Sequence, residues 1–273
     1  MTYSEALKYC CGAFEENGIE NAGNESRWLM ESIDDSYMLK LRDEMDDDDA
    51  EEYMNLAERR ICGEPLQYLT GSWEFYGREF YVGKGVLIPR PETELLVDYA
   101  LEYLRGRENP VVIDLCSGTG CIALTVALER KDARVLAVEK YGEAFGYLER
   151  NIGKLRCGNV TAVRGDVFRY EELGLEDADL ILSNPPYVES GECSSLQKEV
   201  LYEPVTALDG GEDGLDFYRQ IALIARKHCR GAVAVECGEN QAEEIGKMFS
   251  FPGELKFLED FNGVRRVTVF ERK

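Results

Sequence analysis

VVIDLCSGTGCIALTVALER, residues 111–130, joins a short apolar run, a turn with two glycines and a second apolar segment. The run Val111 to Leu115 has the length and the β-branched content of a buried strand, and a helix is predicted to begin near Cys121. Gly118 and Gly120 lie in the connection, where the lack of a side chain lets the backbone approach a ligand. The stretch therefore predicts a strand, a ligand-binding turn and a helix.

Beyond this unit, short apolar strands continue to alternate with helical segments. The further predicted strands are Arg134 to Glu139, Val160 to Val163, Leu180 to Ser183 and Ala232 to Glu236, with terminal strands near Lys256 to Leu258 and Arg266 to Phe270. Such alternation is typical of an α/β fold, in which helices cover both faces of a mostly parallel sheet. We predict a Rossmann-like sheet of seven strands.

The first seventy residues have a helical pattern instead. Apolar residues recur at helical spacing up to Gly18, and a second helix is predicted over Asn24 to Ile33. A third helix should follow Asp46 to Asp49, because acids are favoured at a helix N-terminus. Aromatic and polar residues then alternate around Gly77, which indicates a β-hairpin. We predict a small helical N-terminal domain over 1–70, a hairpin linker over 71–87 and an α/β domain over 88–273.

Composition limits the partners and the environment of the protein. A net charge of −22 over 273 residues disfavours duplex nucleic acid as the main partner, because such binding needs a basic face. The nine cysteines are odd in number and lack CxxC spacing, so we expect reduced, buried thiols and no metal site. Without a long apolar run or a basic N-terminal leader, we expect a cytoplasmic protein with no membrane partner.

The glycine-rich turn is compatible with two kinds of cofactor, and with a purely structural role. Residues Gly118 to Ala123 fit the G-x-G-x-x-A dinucleotide fingerprint, with Glu139 about twenty residues further on. However, Asp114 precedes the glycines by four residues, which gives the Asp-x-x-x-Gly-x-Gly pattern of S-adenosylmethionine-dependent methyltransferases. Asp166 follows the third strand, where such enzymes bind the adenine amino group. Acids at three successive strand ends favour S-adenosylmethionine, with Glu139 accepting hydrogen bonds from both ribose hydroxyls.

The segment Asn184-Pro185-Pro186-Tyr187 ends the fourth strand of the series. The prolines can simply end the strand, with Tyr187 packed on a neighbour. Alternatively, the Asn184 side-chain oxygen and the Pro185 carbonyl accept the two hydrogens of a flat NH2 group, while Tyr187 offers a ring face. Held in this way, the nitrogen would attack a methyl group directly. The segment is a candidate substrate clamp.

Several stretches together resemble one family. The Asp-x-x-x-Gly-x-Gly and Asn-Pro-Pro-Tyr patterns are similar to those of amino-methyltransferases, which include adenine-N6 enzymes and protein glutamine methyltransferases. Further stretches resemble the PrmC/HemK family of release-factor glutamine N5-methyltransferases: RRICGEPLQYLTG (59–71), IPRPETELLV (88–97), EPVTALDGGEDGLDFYR (203–219) and VECGENQ (235–241). The resemblance covers nearly the whole chain. It departs at Cys116, where many relatives have glycine.

The resemblance implies a class I S-adenosylmethionine-dependent methyltransferase fold and activity. The cofactor would be S-adenosyl-L-methionine, the product S-adenosyl-L-homocysteine, and the substrate the glutamine of the Gly-Gly-Gln motif in a peptide chain release factor. The helical domain would bind this protein partner. The alternative is an adenine-N6 methyltransferase acting on RNA or DNA, which the net acidity disfavours.

The resemblance also implies the site residues. The cofactor-binding residues would be Asp114, Cys116, Ser117, Gly118, Thr119, Gly120, Glu139, Asp166, Val167 and Asn184. The catalytic and substrate-binding residues would be Asn184, Pro185, Pro186 and Tyr187, with Arg90 and Glu92 either at the pocket mouth or in a salt-bridged corner. Gly210, Gly211 and Gly214 predict a turn into a helix beginning near Asp213, which is either a plain turn or one that closes over the substrate.

Overall fold

The structure is a computed structural model that describes residues 1–249 and 252–273. The chain divides into two compact units. Unit 1 comprises Met1–Ser72 and Gln197–Tyr202, and unit 2 comprises Trp73–Leu196 and Glu203–Lys273. Within the described ranges, no helix has the length and apolar character that a membrane crossing requires.

Unit 1 is helical. Its helices are α1 (Tyr3–Glu16), α2 (Ala22–Ile33), α3 (Asp47–Ile61) and α4 (Leu66–Thr70). The predicted acidic N-terminus of α3 is confirmed, but the helix already begins at Asp47, within the run of aspartates. The Asp46 carboxylate is the N-cap and accepts a hydrogen bond from the Asp48 amide at 3.2 Å. Phe14, Leu29 and Tyr53 are fully buried, which shows that the amphipathic faces of α1, α2 and α3 share one core.

Ion pairs of the buried Arg60 join the segment Gln197–Tyr202 to the helices of unit 1. Arg60 is only 5% exposed, and its guanidinium donates to Glu25 at 2.5 and 3.2 Å and to Glu199 at 2.7 Å. The Tyr202 hydroxyl also donates to the Cys62 carbonyl at 3.1 Å. A buried guanidinium is costly without partners, and the distant segment supplies one of them through the half-exposed Glu199.

Unit 2 is built around one mixed sheet. A hairpin of β1 (Ser72–Phe75) and β2 (Arg78–Tyr81) precedes it, and the helices α5 (Glu94–Tyr103), α6 (Cys121–Glu129), α7 (Gly142–Leu155), α8 (Asp216–His228) and α9 (Ala242–Met248) cover it. The strands of the sheet are β3 (Val111–Leu115), β4 (Arg134–Glu139), β5 (Val160–Arg164), β6 (Ala178–Ser183), β7 (Cys229–Glu236), β8 (Gly253–Glu259) and β9 (Arg265–Arg272). Their order is β5-β4-β3-β6-β7-β9-β8.

The strands β3 to β7 run parallel, whereas β9 is antiparallel to both β7 and β8. Successive side chains of a strand face opposite sides of a sheet. Accordingly, Val112 packs in a core with α5 and α6, and its neighbour Ile113 packs in a second core with α8 and α9. The predicted mostly parallel seven-stranded sheet with helices on both faces is confirmed.

The strand order reverses beside β3, which pairs with β4 on one side and β6 on the other. In an open α/β sheet, a ligand crevice forms outside the carboxyl ends of the strands at such a switch point. The segment after β3 is the glycine-rich turn, and the segment after β6 is Asn184–Tyr187. The fold therefore brings both sequence motifs to one edge of the sheet.

Two local predictions differ from the structure. The helix expected near Asp213 begins at Asp216, because Gly214 has a left-handed φ of 69° and the Asp213 carboxylate accepts from the Leu215 amide at 3.2 Å, which prolongs the turn. The prediction of buried thiols is wrong for Cys62, which is exposed at the end of α3.

Candidate active site

The glycine-rich turn folds back on the end of β3. The Ser117 amide donates to the Val138 carbonyl of the adjacent strand at 3.0 Å. Gly120, with φ of 82°, has no room for a side chain, because a Cβ there would lie 2.5 Å from Leu148 Cδ1. Gly118 instead faces open space, with Val86 Cγ2 the nearest atom at 3.8 Å from a Cβ position. The turn thus packs on one side and leaves the other side open to a cleft.

Asp114 lies beneath this turn and is fully buried. Its Oδ2 accepts a hydrogen bond from the Ala123 amide at 3.3 Å, while Oδ1 has no hydrogen-bond partner among the described residues. Burial raises the pKa of this carboxyl to about 7, although bonds from Ser117 and Ala123 oppose the shift. A buried oxygen of this kind is stabilised by a proton or by a donor from a ligand.

Glu139 ends β4 and is 6% exposed. One carboxylate oxygen accepts from the Gly118 amide at 2.9 Å and the other from the Tyr141 amide at 2.8 Å. Burial raises its pKa, and the bonds from the Tyr141 and Gly118 amides oppose that shift. Because each carboxylate oxygen can accept more than one hydrogen bond, Glu139 retains acceptor capacity toward the cleft.

Asp166 follows β5, at the third strand end. Its Oδ1 accepts from the Phe168 amide at 3.0 Å, and its Oδ2 pairs with Lys140 Nζ at 2.8 Å. Burial acts to raise the pKa of Asp166, but the bonds from Lys140 and Phe168 outweigh it and the pKa is lowered. The group is therefore a carboxylate at neutral pH.

Asn184 follows β6, whose last residue, Ser183, donates its hydroxyl to the Leu115 carbonyl at 2.6 Å. The Asn184 side-chain nitrogen donates to Thr93 Oγ1 at 3.1 Å, and the Thr93 hydroxyl donates to Glu236 Oε2 at 2.6 Å. Burial raises the pKa of Glu236 to about 7, against the bond from Thr93. The Asn184 amide is thus fixed from behind by two buried side chains.

The backbone after Asn184 is also held in place. Gln241 Nε2 donates to the Tyr187 carbonyl at 2.9 Å, and the Gln241 side-chain oxygen accepts from the Gly238 amide at 3.0 Å. The loop containing Gly210 packs on the same segment, since a Cβ there would lie 2.8 Å from both the Pro186 carbonyl oxygen and Tyr187 Cα. The glycine turn is therefore a support for Asn184–Tyr187.

The predicted residues fall into two groups. Those lining the cleft are Cys116, Ser117, Gly118, Thr119, Glu139, Asp166, Val167, Asn184 and Pro186. Those outside the lining are Asp114, Gly120, Pro185, Tyr187, Arg90 and Glu92. Apolar residues that sequence reasoning did not single out complete the wall, among them Val86, Pro89, Ile122, Val138 and Phe217. The result is a cleft with apolar walls and polar groups at the strand ends, as small-molecule sites commonly have.

Arg90 belongs to a salt-bridged corner beside this cleft. Its guanidinium donates to Glu203, a residue that is 4% exposed. The other Glu203 oxygen accepts from the Ile88 amide at 2.9 Å. The ion pair and the amide bond to Glu203 therefore hold the loop between β2 and α5 in place, and this loop brings Thr93 to the cleft.

Tyr187 packs against the core that contains Tyr218.

Sequence reasoning missed Thr93, Glu236 and Gln241 as parts of the site. Each lies in a stretch on which the family resemblance rests, IPRPETELLV or VECGENQ. That resemblance was the available signal, because the contacts join residues 54 to 143 positions apart.

The N-terminal and the C-terminal parts of the chain each match a model of a known protein family. Residues 5–71 match the PrmC N-terminal domain, and residues 92–213 match the methyltransferase small domain. A methyltransferase of known structure from Pyrococcus furiosus is 20% identical, with a TM-score of 0.54, over 72% of this chain and 90% of that one. That likeness agrees with the class I methyltransferase fold.

Similarity to curated relatives extends from end to end. A release factor glutamine methyltransferase from Geobacter sulfurreducens is 38% identical, covering 97% of this chain and 95% of the relative. The release factor glutamine methyltransferase of Clostridium acetobutylicum is 33% identical, covering 100% of this chain and 99% of its own. The chain therefore belongs to the family of release factor glutamine methyltransferases.

Proposed function

We propose that the protein transfers a methyl group from S-adenosylmethionine to the side-chain amide nitrogen of the glutamine in the Gly-Gly-Gln motif of peptide chain release factors, in the cytoplasm. The observation that carries this proposal is the convergence of the glycine-rich turn and Asn184 on one cleft at the switch point between β3 and β6. Family membership supports the choice of a glutamine over other flat amino groups.

The residues of the cleft fit the cofactor. S-adenosylmethionine supplies an electrophilic methyl group when it is bound. Glu139 has the acceptor capacity to bind the two ribose hydroxyls, and Asp166 with Val167 would bind the adenine. Asp114 lies behind the cleft wall, and its unpartnered Oδ1 would attract the cationic methionyl end of the cofactor. The open side of Gly118 lets the ligand lie against the backbone.

Asn184 and Pro185 would hold the substrate. Asn184 Oδ1 and the Pro185 carbonyl accept the two amide hydrogens of the glutamine, which draws the protons away from its nitrogen and orients that nitrogen toward the methyl group. Pro185 and Pro186 are buried and restrict the backbone at this point. Orientation of this kind can lower a barrier by up to about 7–11 kcal/mol in principle. The nitrogen gains a methyl group and loses one proton to water.

No covalent intermediate on the protein is needed. Two thiols, Cys116 and Cys121, line the cleft. Burial, with the nearby Glu139 and Asp114 charges, raises the pKa of Cys116 well above the usual value, and burial raises the pKa of Cys121 to about 12. A protonated thiol is a poor nucleophile. Direct transfer from cofactor to glutamine is the reaction that these side chains support.

The proposal is tested by incubating the purified protein with S-adenosylmethionine and a peptide chain release factor. Mass spectrometry of the digested factor should find one added methyl on the glutamine of the Gly-Gly-Gln peptide. A release factor with that glutamine replaced by asparagine is the matched substrate control. Transfer to RNA or DNA with none to the release factor would overturn the proposal in favour of adenine methylation.

A further inference from the structure

Behind the Asn184 amide lies a chain of hydrogen bonds built from three separate parts of unit 2. Asn184 follows β6, Thr93 lies just before α5, and Glu236 ends β7. The bonds measure 3.1 Å from Asn184 Nδ2 to Thr93 Oγ1 and 2.6 Å from Thr93 Oγ1 to Glu236 Oε2. Thr93 is 2% exposed and Glu236 is 3% exposed. Bulk water therefore has little access to these bonds.

The direction of each bond follows from the number of protons available. A hydroxyl carries one proton, and an ionised carboxylate only accepts. When Glu236 is ionised, the Thr93 proton points to Glu236, and Thr93 can only accept from its other neighbour. The Asn184 NH2 branch must then face Thr93, because its oxygen branch would meet a lone pair. The opposite branch, Oδ1, is left for the substrate.

We propose that Thr93 and Glu236 are positioning residues that keep the Asn184 amide in the one orientation able to accept a hydrogen from the substrate glutamine. This inference rests on the proposed function, which places that glutamine against Asn184. Packing alone does not fix the orientation of an amide side chain. The two branches of an amide are nearly equal in size, so packing alone discriminates poorly between them, whereas a flipped Asn184 presents NH2 to NH2.

Protonation of Glu236 would allow the Asn184 amide to adopt either orientation. A protonated Glu236 can donate to Thr93, whose own proton is then free to turn toward Asn184, and the amide can flip. The pKa of Glu236 is raised by burial to about 7, while Thr93, Arg266 and Arg90 lower it and Glu92 raises it. The other titratable groups near Glu236 have raised pKa values and stay neutral: Tyr187, Tyr218, Cys121 and Cys237. Turnover should thus fall as the pH falls through about 7.

The first test compares turnover of Thr93→Val and Thr93→Ser at saturating cofactor and release factor. Valine keeps the shape and removes the hydroxyl, so kcat should fall about 10- to 100-fold. Serine keeps the hydroxyl and should restore most of the lost rate. The matched control is Thr125→Val, because Thr125 is a fully buried threonine whose hydroxyl has no hydrogen-bond partner within the described ranges. A Thr93→Val enzyme with normal kcat overturns the proposal.

The second test is the pH profile of kcat. The wild type should show an acid limb that is absent from Glu236→Gln, whose side chain does not titrate. Saturating cofactor is needed because Asp114 also has a pKa of about 7 and is proposed to act on cofactor affinity. An acid limb that persists unchanged in Glu236→Gln overturns the role of Glu236.

A third measurement needs neither cofactor nor substrate. In protein labelled with 15N-asparagine, the Asn184 side-chain NH2 signal is assigned by its loss in Asn184→Ala. Its hydrogen exchange should be slow in the wild type and Thr93→Ser and faster in Thr93→Val. Equal exchange rates in the wild type, Thr93→Ser and Thr93→Val would overturn the proposed positioning of Asn184 by Thr93. If exchange follows the expected pattern in the three proteins but the wild type does not methylate the release factor, only the proposed function is overturned.

Discussion

Burial and hydrogen bonding set the charge of each carboxyl group around the cleft. Asp114 is the last residue but one of β3, and Asp166 follows β5, two strands away in the same sheet. Burial raises the pKa of Asp114 to about 7, whereas Lys140 and Phe168 hold the pKa of Asp166 below its usual value. One carboxyl can thus respond to a ligand by losing a proton, and the other is already a fixed anion. Residue type alone does not distinguish them.

Because of this contrast, replacing Asp114 or Asp166 by asparagine should have opposite effects on stability. Asp114 binds its proton more tightly in the folded than in the unfolded protein, so its contribution to stability falls as the pH rises from about 4 to about 7. Asp114→Asn should therefore be more stable than the wild type at about pH 8, by about 1 kcal/mol or more, and gain little near pH 4. Asp166→Asn, the control, should lose stability at neutral pH. Thermal melts across this range measure both, and an Asp114→Asn gain that does not grow with pH contradicts the prediction.

Two further substitutions separate chemistry from cofactor binding. Asn184→Ala should abolish methyl transfer while retaining much of the cofactor affinity, because Asn184 is proposed to hold the substrate amide. Glu139→Ala should chiefly raise the cofactor concentration needed for half-maximal rate, since Glu139 is proposed to bind the ribose. Steady-state kinetics and calorimetric titration distinguish the two. Near-normal turnover of Asn184→Ala, or an unchanged cofactor requirement in Glu139→Ala, would count against these roles.

Cys116 occupies a backbone position that glycine more often takes. Its φ is 61°, in the left-handed region, and its thiol lines the cleft with a strongly raised pKa. Because the thiolate is the reactive form, iodoacetamide should modify exposed Cys62 at least about tenfold faster than Cys116 at neutral pH. Peptide mapping after timed labelling gives both rates. Equal rates would show that Cys116 is ionised or more open than its surroundings indicate.

At the scale of elements, backbone contacts within the loop between β6 and α8 support Asn184–Tyr187, the proposed substrate clamp. The Gly210 amide donates to the Val188 carbonyl at 2.8 Å, and the Val188 amide donates to the Leu208 carbonyl at 2.8 Å. These bonds join the two arms of the loop just after Tyr187. The geometry of Asn184–Tyr187 therefore depends on a turn that does not line the cleft.

Gly210→Ala tests this dependence. A Cβ at Gly210 would lie 2.8 Å from the Pro186 oxygen, the Tyr187 Cα and the Gly214 oxygen, all of which are backbone atoms. The clamp must shift to relieve the overlap, so kcat should fall more than about tenfold while cofactor affinity stays within about twofold. Gly191→Ala is the matched control, since nothing lies within 4 Å of a Cβ there. Similar kcat values for the two variants would contradict the prediction.

Elements with a local signal could be predicted from the sequence. The bounds of β3 and β4 are confirmed residue for residue, because Pro110 and the glycine-rich turn delimit β3, whereas Arg134 and Glu139 delimit the apolar run of β4. The strand β8 is longer than predicted, since its edge position allows polar residues such as Glu254 that break an apolar run. The sequence also allowed the prediction that the acids at the strand ends lie near one another, because the carboxyl ends of parallel strands lie at the same edge of a sheet. The bond between Thr93 and Glu236 spans 143 positions, and no local spacing encodes it.

At the scale of the whole molecule, the net charge favours a protein over a nucleic acid as the proposed partner. The net charge of −22 repels phosphate backbones, whereas a protein surface can supply basic side chains to match it. The division into two units adds one feature that the sequence did not predict, since Gln197–Tyr202 belongs to unit 1 through the Arg60 network. The ion pair between Arg60 and Glu199 joins residues 139 positions apart and leaves no periodic signal in the chain.

The affinity for nucleic acid and its dependence on salt distinguish the proposed protein substrate from the adenine-N6 alternative. A nucleic-acid enzyme must neutralise several phosphates, and its affinity then falls steeply with salt. This protein should bind a fluorescent RNA hairpin or DNA duplex more weakly than about 100 µM at about 0.1 M salt. Fluorescence anisotropy measures that affinity, and a labelled release factor is the positive control. Micromolar binding of the nucleic acid that weakens steeply between low and moderate salt, together with methyl transfer to adenine, would show that Asn184–Tyr187 accepts a base and that acidity alone is a poor guide to the substrate.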